Sequence, residues 1–240
     1  MKKYGSVCLL ILRASLYKIL GVMLGTGAVQ VLLLSLAMRR EAAGGAGLEA
    51  LVEKSGIAWV FAAACILTVV FLCRMGCAYG AKTGYTLARL SVSEKSVFFC
   101  QSAANAVCLL LVWFIQACLA FFLCSAACMH LELAGGQNVL LAFYRSSFLH
   151  SLFPLAELSL WIRNIVLALA LGFGAAAFSW HQRRGKPGVG VGVVMLISLF
   201  FFRQKTGSVY ADVPVILLLL VCIAAILMNV LGGETEDAKT

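Results

Sequence analysis

The sequence predicts an all-α, polytopic membrane protein: a bundle of six transmembrane helices, an interfacial helix before the first of them, and both termini in the cytoplasm. Three observations carry this. Hydrophobic residues make up 62% of the 240-residue chain and charged residues only 12%, with a mean hydropathy of +1.00, whereas an ordinary soluble domain is about 25% charged. The apolar residues gather into runs near the ~20 residues that cross a bilayer. Those runs lack the period-2 alternation of a barrel strand, and lipid offers no water to satisfy an open backbone, so they fold as helices.

The opening "MKKYGSVCLLILRASLYKILG" has a basic start and a short apolar run, like a signal peptide. Arg13 and Lys18 interrupt that run and no small-residue cleavage site follows, so it reads as mature sequence. Leu9, Leu12, Leu16 and Leu20 set against Arg13 and Lys18 suit a helix lying on the inner membrane surface. Six apolar runs follow, at about 19–38, 57–74, 97–128, 158–180, 188–202 and 213–231. The third is longer than a bilayer requires and the fifth shorter. The tail 232–240, "GGETEDAKT", is a solvated end.

Net charge is +9. In a membrane protein this reports orientation and contact with anionic headgroups, and no nucleic-acid partner is expected. With the N-terminus inside, twelve of the nineteen basic residues fall on the cytoplasmic side: Lys2, Lys3, Arg13, Lys18, Arg74, Lys82, Arg89, Lys95, Arg183, Arg184, Lys186 and Lys239. All loops are short enough for the positive-inside rule. Most of the ten cysteines lie inside apolar runs, where a thiol acts as a small hydrophobe, and no C-x-x-C suggests a metal or redox site.

Gly76, Gly80 and Gly84, and separately Gly21 and Gly25, repeat at four-residue spacing, which lets helix backbones approach within the bundle or along a dimer seam. Gln101, Asn105 and Gln116 fall within about a 60° arc of the third run. Such a polar stripe serves either as hydrogen-bonded glue between helices or as part of a translocation path. Arg163, close behind Glu157, is expected to snorkel to the headgroups from the start of the fourth span. The connection from His130 to Glu157 is apolar. As one helix over 138–153 it places Tyr144, Phe148, Leu149, Leu152 and Phe153 on one side, with Phe143 and Arg145 out of place, so it reads as an interfacial anchor or a lid over an exit. His130, His150 and His181 are scattered, and no paired carboxylates or G-x-S-x-G occur, so no intrinsic enzyme and no cofactor is expected. No G-x-x-x-x-G-K-[ST] occurs either, so ATP-driven work would need a second polypeptide.

Between the second and third runs stands "TLARLSVSEKSVFFCQ", 86–101. Ser91 and Glu94 have capping-box spacing, which starts a helix near Val92 and leaves Arg89, Glu94 and Lys95 on the tip of a compact elbow. That elbow is either a well-capped turn or a surface for something outside the membrane to grip.

Six spans, cytoplasmic termini, an amphipathic helix before the first span and the elbow "RLSVSEKSVFF" together resemble the type-2 ABC transporter permeases, bacterial export subunits that work with a separate ATPase. There the elbow often reads R-L-P-x-S. Arg89, Leu90, Val92 and Ser93 fit, while Ser91 stands where proline is common. The resemblance implies a permease of the bacterial cytoplasmic membrane, homodimeric or paired with a similar subunit. It also implies a cytosolic P-loop ATPase docked on the 86–97 elbow at Arg89, Ser91, Ser93, Glu94 and Lys95. The chain departs from that family in placing its large outer loop between the third and fourth spans rather than the last two. The rival expectation is a non-transporting membrane scaffold or immunity-type protein that binds a partner or lipid.

Overall fold

The computed structural model describes residues 2–41, 47–74, 93–130, 135–185, 188, 190–202 and 209–237. Among the described residues the chain is all-helical, in nine helices: α1 Lys2–Glu41, α2 Leu48–Ser55, α3 Ile57–Arg74, α4 Glu94–His130, α5 Gly135–Arg145, α6 Ser147–Leu152, α7 Leu158–Arg183, α8 Gly190–Phe202 and α9 Val209–Asp237. Five of them, α1, α3, α4, α7 and α9, are long and apolar enough to cross a membrane. The 13 residues of α8 rise about 20 Å, short of the ~30 Å hydrocarbon core.

An interfacial helix separate from the first span does not occur, because residues 2–41 form one unbroken helix. The reason lies in its buried stripe: Val7, Ile11, Ser15, Ile19, Met23, Thr26, Gln30 and Leu34 recur at steps of four and three along its whole length. Those steps keep one face in contact through two phases of composition, so the N-terminal part packs with Val97 and Ala104 of α4. Of the expected leucine face, Leu9 and Leu20 are exposed on the bundle surface and Leu12 and Leu16 are half-buried. Hydroxyls in these helices return to their own backbone, as Ser15 donates to the Ile11 carbonyl and Thr26 to that of Val22. That bond lets a polar side chain sit in an apolar helix without a partner elsewhere.

α4 is central, with α1 on one side and α7 on another. The α4–α7 crossing is close. A Cβ on Gly172 would lie 2.8 Å from the Ala106 backbone nitrogen, so only glycine fits there. Gly21 and Gly25 are different: a Cβ on either meets nothing within 4 Å, so they do not supply the expected packing within the chain. Gly76, Gly80 and Gly84 lie outside the described residues.

Side-chain contacts fix which helix ends lie together. At one end Arg184 reaches Glu94, joining the close of α7 to the start of α4. At the other end Arg145 reaches Glu49, and Arg163 near the start of α7 meets Asp212 near the start of α9. The first residues of α8 lie against Gly174, so α8 carries the chain back toward the Arg163 end. α9 then runs beside α7 until Val230 packs with Phe98, Ala176, Ala177 and Trp180.

The connection after α4 is a packed cap. One helix over 138–153 was expected, and the structure instead breaks it at the buried Ser146, giving α5 and α6. The break changes phase, which accounts for the two misplaced residues: Phe143 turns inward with Val139 and Ala142, while Arg145 turns out to Glu49. α2 completes the cap with Leu48, Leu51, Val52 and Ser55 buried, closed by Gly56 in a left-handed conformation at φ +76°. Glu53 accepts from the Ser147 amide and hydroxyl at the start of α6.

Candidate functional site

The described end of the elbow, residues 93–97, lies beside the close of α7. α4 begins at Glu94, two residues later than expected, and its cap is Ser93, whose Oγ lies 3.4 Å from the Ser96 amide and 2.8 Å from the Ser96 hydroxyl. This is the N-cap geometry, in which a side-chain oxygen accepts from the third helical amide. Arg89 and Ser91 lie outside the described residues. α7 closes at Arg183 and the chain turns off it through Gly185 at φ +69°, with the Gly185 amide donating to the Gln182 carbonyl. Glu94 complements the positive start of α4 and Arg184 the negative close of α7. The two charges also meet, Arg184 Nη2 to Glu94 Oε2 at 3.1 Å, with the guanidinium 4.0 Å from the Trp180 ring centroid. Trp180 is 2% exposed, so the pair is anchored on the core while Glu94 stays open on its outer side. Ser93 is exposed and Lys95 half-buried beside it.

Immediately inside this face lies a polar node. Gln101 Nε2 donates to Ser179 Oγ at 3.0 Å, and Ser179 donates to the Cys73 carbonyl at 2.9 Å, so α4, α7 and α3 are tied at one point. Asn105 Nδ2 reaches the Gly172 carbonyl at 3.4 Å. Gln116 turns to α1, its Nε2 donating to Gln30 Oε1 at 3.0 Å. The three residues of the stripe are each 1% exposed or less. Gln101 and Asn105 join α4 to α7 and Gln116 joins it to α1, and in a single chain they line no open passage among the described residues.

Arg163 does not snorkel. It is 0% exposed and pairs with Asp212 at 3.0 Å, Nη1 to Oδ1, while Ser159 Oγ donates to Asp212 Oδ2 at 2.9 Å. α9 brings a carboxylate to within reach at the same depth, so the guanidinium stays inside. Glu157 instead lies 3.5 Å from His150.

Donors from the bundle hold the cap above this pair. Trp113 Nε1 donates to the Leu152 carbonyl at 2.8 Å, Asn164 Nδ2 to the Ser151 carbonyl at 2.8 Å, and Trp161 Nε1 to the Pro154 carbonyl at 2.6 Å. These satisfy carbonyls that the end of a short helix leaves without partners. Trp161 also packs at a tilt against Trp113 and edge-on against Phe153, with ring centroids 5.2 and 5.4 Å away. Sequence reasoning missed Asp212, Trp113, Trp161 and α2. The signal for α2 was present in the spacing of Leu48, Leu51, Val52 and Ser55, whereas nothing local linked Asp212 to Arg163.

Among the described residues no three His, Cys, Asp or Glu side chains converge as a metal site would require. In comparisons with known proteins the chain matches no family model, no curated protein and no solved structure.

Proposed function

We propose that the chain is the membrane-spanning subunit of a bacterial ABC exporter, crossing the cytoplasmic membrane six times with both termini inside. A separate cytosolic P-loop ATPase grips the 86–97 elbow and drives it. The observation that carries this reading is the braced elbow face. A charged, Ser93-capped start of the 37-residue α4 is locked by Glu94 and Arg184 to the end of α7. A push there reaches two long helices at once, and each runs to the capped end. A partner shifts such a bundle only through different affinity for its two arrangements, which ATP-bound and ATP-free states of the ATPase supply. In this reading α8 makes the fifth crossing with its flanking residues, and the first turns of α1 stand in the cytoplasmic interface.

The filled interior of one bundle favours a passage between two subunits, a homodimer or a pair of similar permeases. It is also the observation that favours the second reading, a non-transporting scaffold whose bundle only binds. Affinity purification of the full chain in mild detergent, followed by an ATPase assay, separates them. The permease reading expects a copurifying P-loop protein with ATPase activity, lost in Glu94→Lys while membrane insertion is unchanged. No associated ATPase, or undiminished copurification with Glu94→Lys, overturns it.

A further inference from the structure

Between α1 and α3 lies an open groove of about 540 Å³, within the size range of small-molecule sites. Its floor is hollowed by Gly21 and Gly25, where a Cβ would meet nothing within 4 Å, and Ala63 and Leu67 of α3 form the facing wall. Thr26 also lines it, but its hydroxyl is bonded at 2.7 Å to the Val22 carbonyl, so the trough presents little polar demand.

The two ends differ in chemistry. One ends at Val29 and Val60, and the other at Tyr17, Lys18 and Phe71. Arg74, three residues past Phe71, and Arg13 are exposed at the Lys18 end. No acid lies near these cations along the two helices: the one acidic residue of α1 is Glu41, at its far end, and α3 contains none. Tyr17 is 73% exposed next to Lys18, and aromatic residues beside cations mark headgroup depth. Lys18 to Val29 is eleven residues, or roughly 16 Å of helix, about half the ~30 Å hydrocarbon thickness. The groove therefore has the length of one leaflet, an apolar trough and a cationic mouth.

We infer that it holds one acyl chain of an anionic phospholipid from the leaflet at that end, with the lipid phosphate at Lys18. A second copy of the chain fits less well. Two copies related by a two-fold axis along this face would bring Arg13, Lys18 and Arg74 toward their own counterparts with no carboxylate between them. A lipid phosphate supplies the missing negative charge, and its chain fills the space above the glycines.

The test titrates the full chain, purified in mild detergent, with phosphatidylglycerol or with phosphatidylcholine of the same acyl chains, and counts bound lipid by native mass spectrometry. Wild type is expected to prefer phosphatidylglycerol by about fivefold, the effect of one cation at the membrane surface. Lys18→Gln should erase that preference, Gly25→Leu should reduce uptake of both lipids by filling the trough, and Arg39→Gln, at the far end of α1, should change neither. Equal binding of the two lipids by wild type overturns the inference, as does a preference that survives Lys18→Gln or falls equally with Arg39→Gln. Uptake unaffected by Gly25→Leu also overturns it. A dimer that forms without lipid and is broken by Gly25→Leu would assign the groove to a second copy instead.

Discussion

Replacing Asp212 by Asn should be among the most damaging single changes in the protein. Arg163 and Asp212 are both 0% exposed and 3.0 Å apart, so removing the carboxylate's charge takes the ion-paired counter-charge from a buried guanidinium. Breaking a buried pair in this way costs about 3–5 kcal/mol. Arg163→Met should cost a similar amount, because Asp212 then keeps only the hydroxyl of Ser159 at 2.9 Å. The double variant Arg163→Met with Asp212→Leu removes both charges, and such replacements are neutral or stabilising by about 1–4 kcal/mol. The cycle therefore predicts two damaging singles, a near-neutral double, and a coupling energy of at least about 3 kcal/mol. Equilibrium unfolding of the full chain in mixed micelles with increasing SDS measures it. A snorkelling Arg163 would make Asp212→Asn nearly silent, so a single-variant loss below about 1 kcal/mol would refute the buried pair. A double variant as unstable as the sum of the singles would refute it equally.

Two further outcomes follow from close contacts. Gly172→Ala places a methyl 2.8 Å from the Ala106 nitrogen and should lose about 1–3 kcal/mol by forcing α4 and α7 apart, whereas Gly25→Ala should change micelle unfolding little. The exchange Glu94→Arg with Arg184→Glu restores the ion pair in reverse but gives up the Trp180 contact and opposes both helix dipoles, so unfolding stability should recover only part of the loss of the single variants while ATPase copurification stays low. Recovery of both together would show that Glu94 acts only by bracing α7 and not as a docking contact.

Much of the architecture was legible because hydropathy reports burial in lipid directly. The runs at 57–74, 97–128 and 158–180 lie within α3, α4 and α7. Helix ends were harder. Ser91 has capping-box spacing to Glu94, yet the helix starts two residues later with Ser93 against the Ser96 amide, a boundary that local spacing does not fix. The polar stripe on α4 was visible as an arc, but an arc on one helix does not name its partners. Gln101 and Gln116 turn to α7 and α1 because different helices lie against the two halves of α4. The Arg163–Asp212 pair was hidden for the same reason, since 49 residues separate its members and Asp212 sat at the edge of an apolar run. The phase break at Ser146 was signalled by Phe143 and Arg145, which no single helix could place.

With the N-terminus inside, an even number of crossings would put the elbow and the C-terminus on the cytoplasmic side, where an ATPase can reach. Fusions of green fluorescent protein and of alkaline phosphatase, placed in the 75–92 connection and after residue 240, read both positions directly in a bacterial host. Six crossings predict fluorescence without phosphatase activity at both sites. Phosphatase activity at the C-terminus with a fluorescent 75–92 fusion would mean that α8 does not cross, and phosphatase activity at the elbow would contradict the docking face itself.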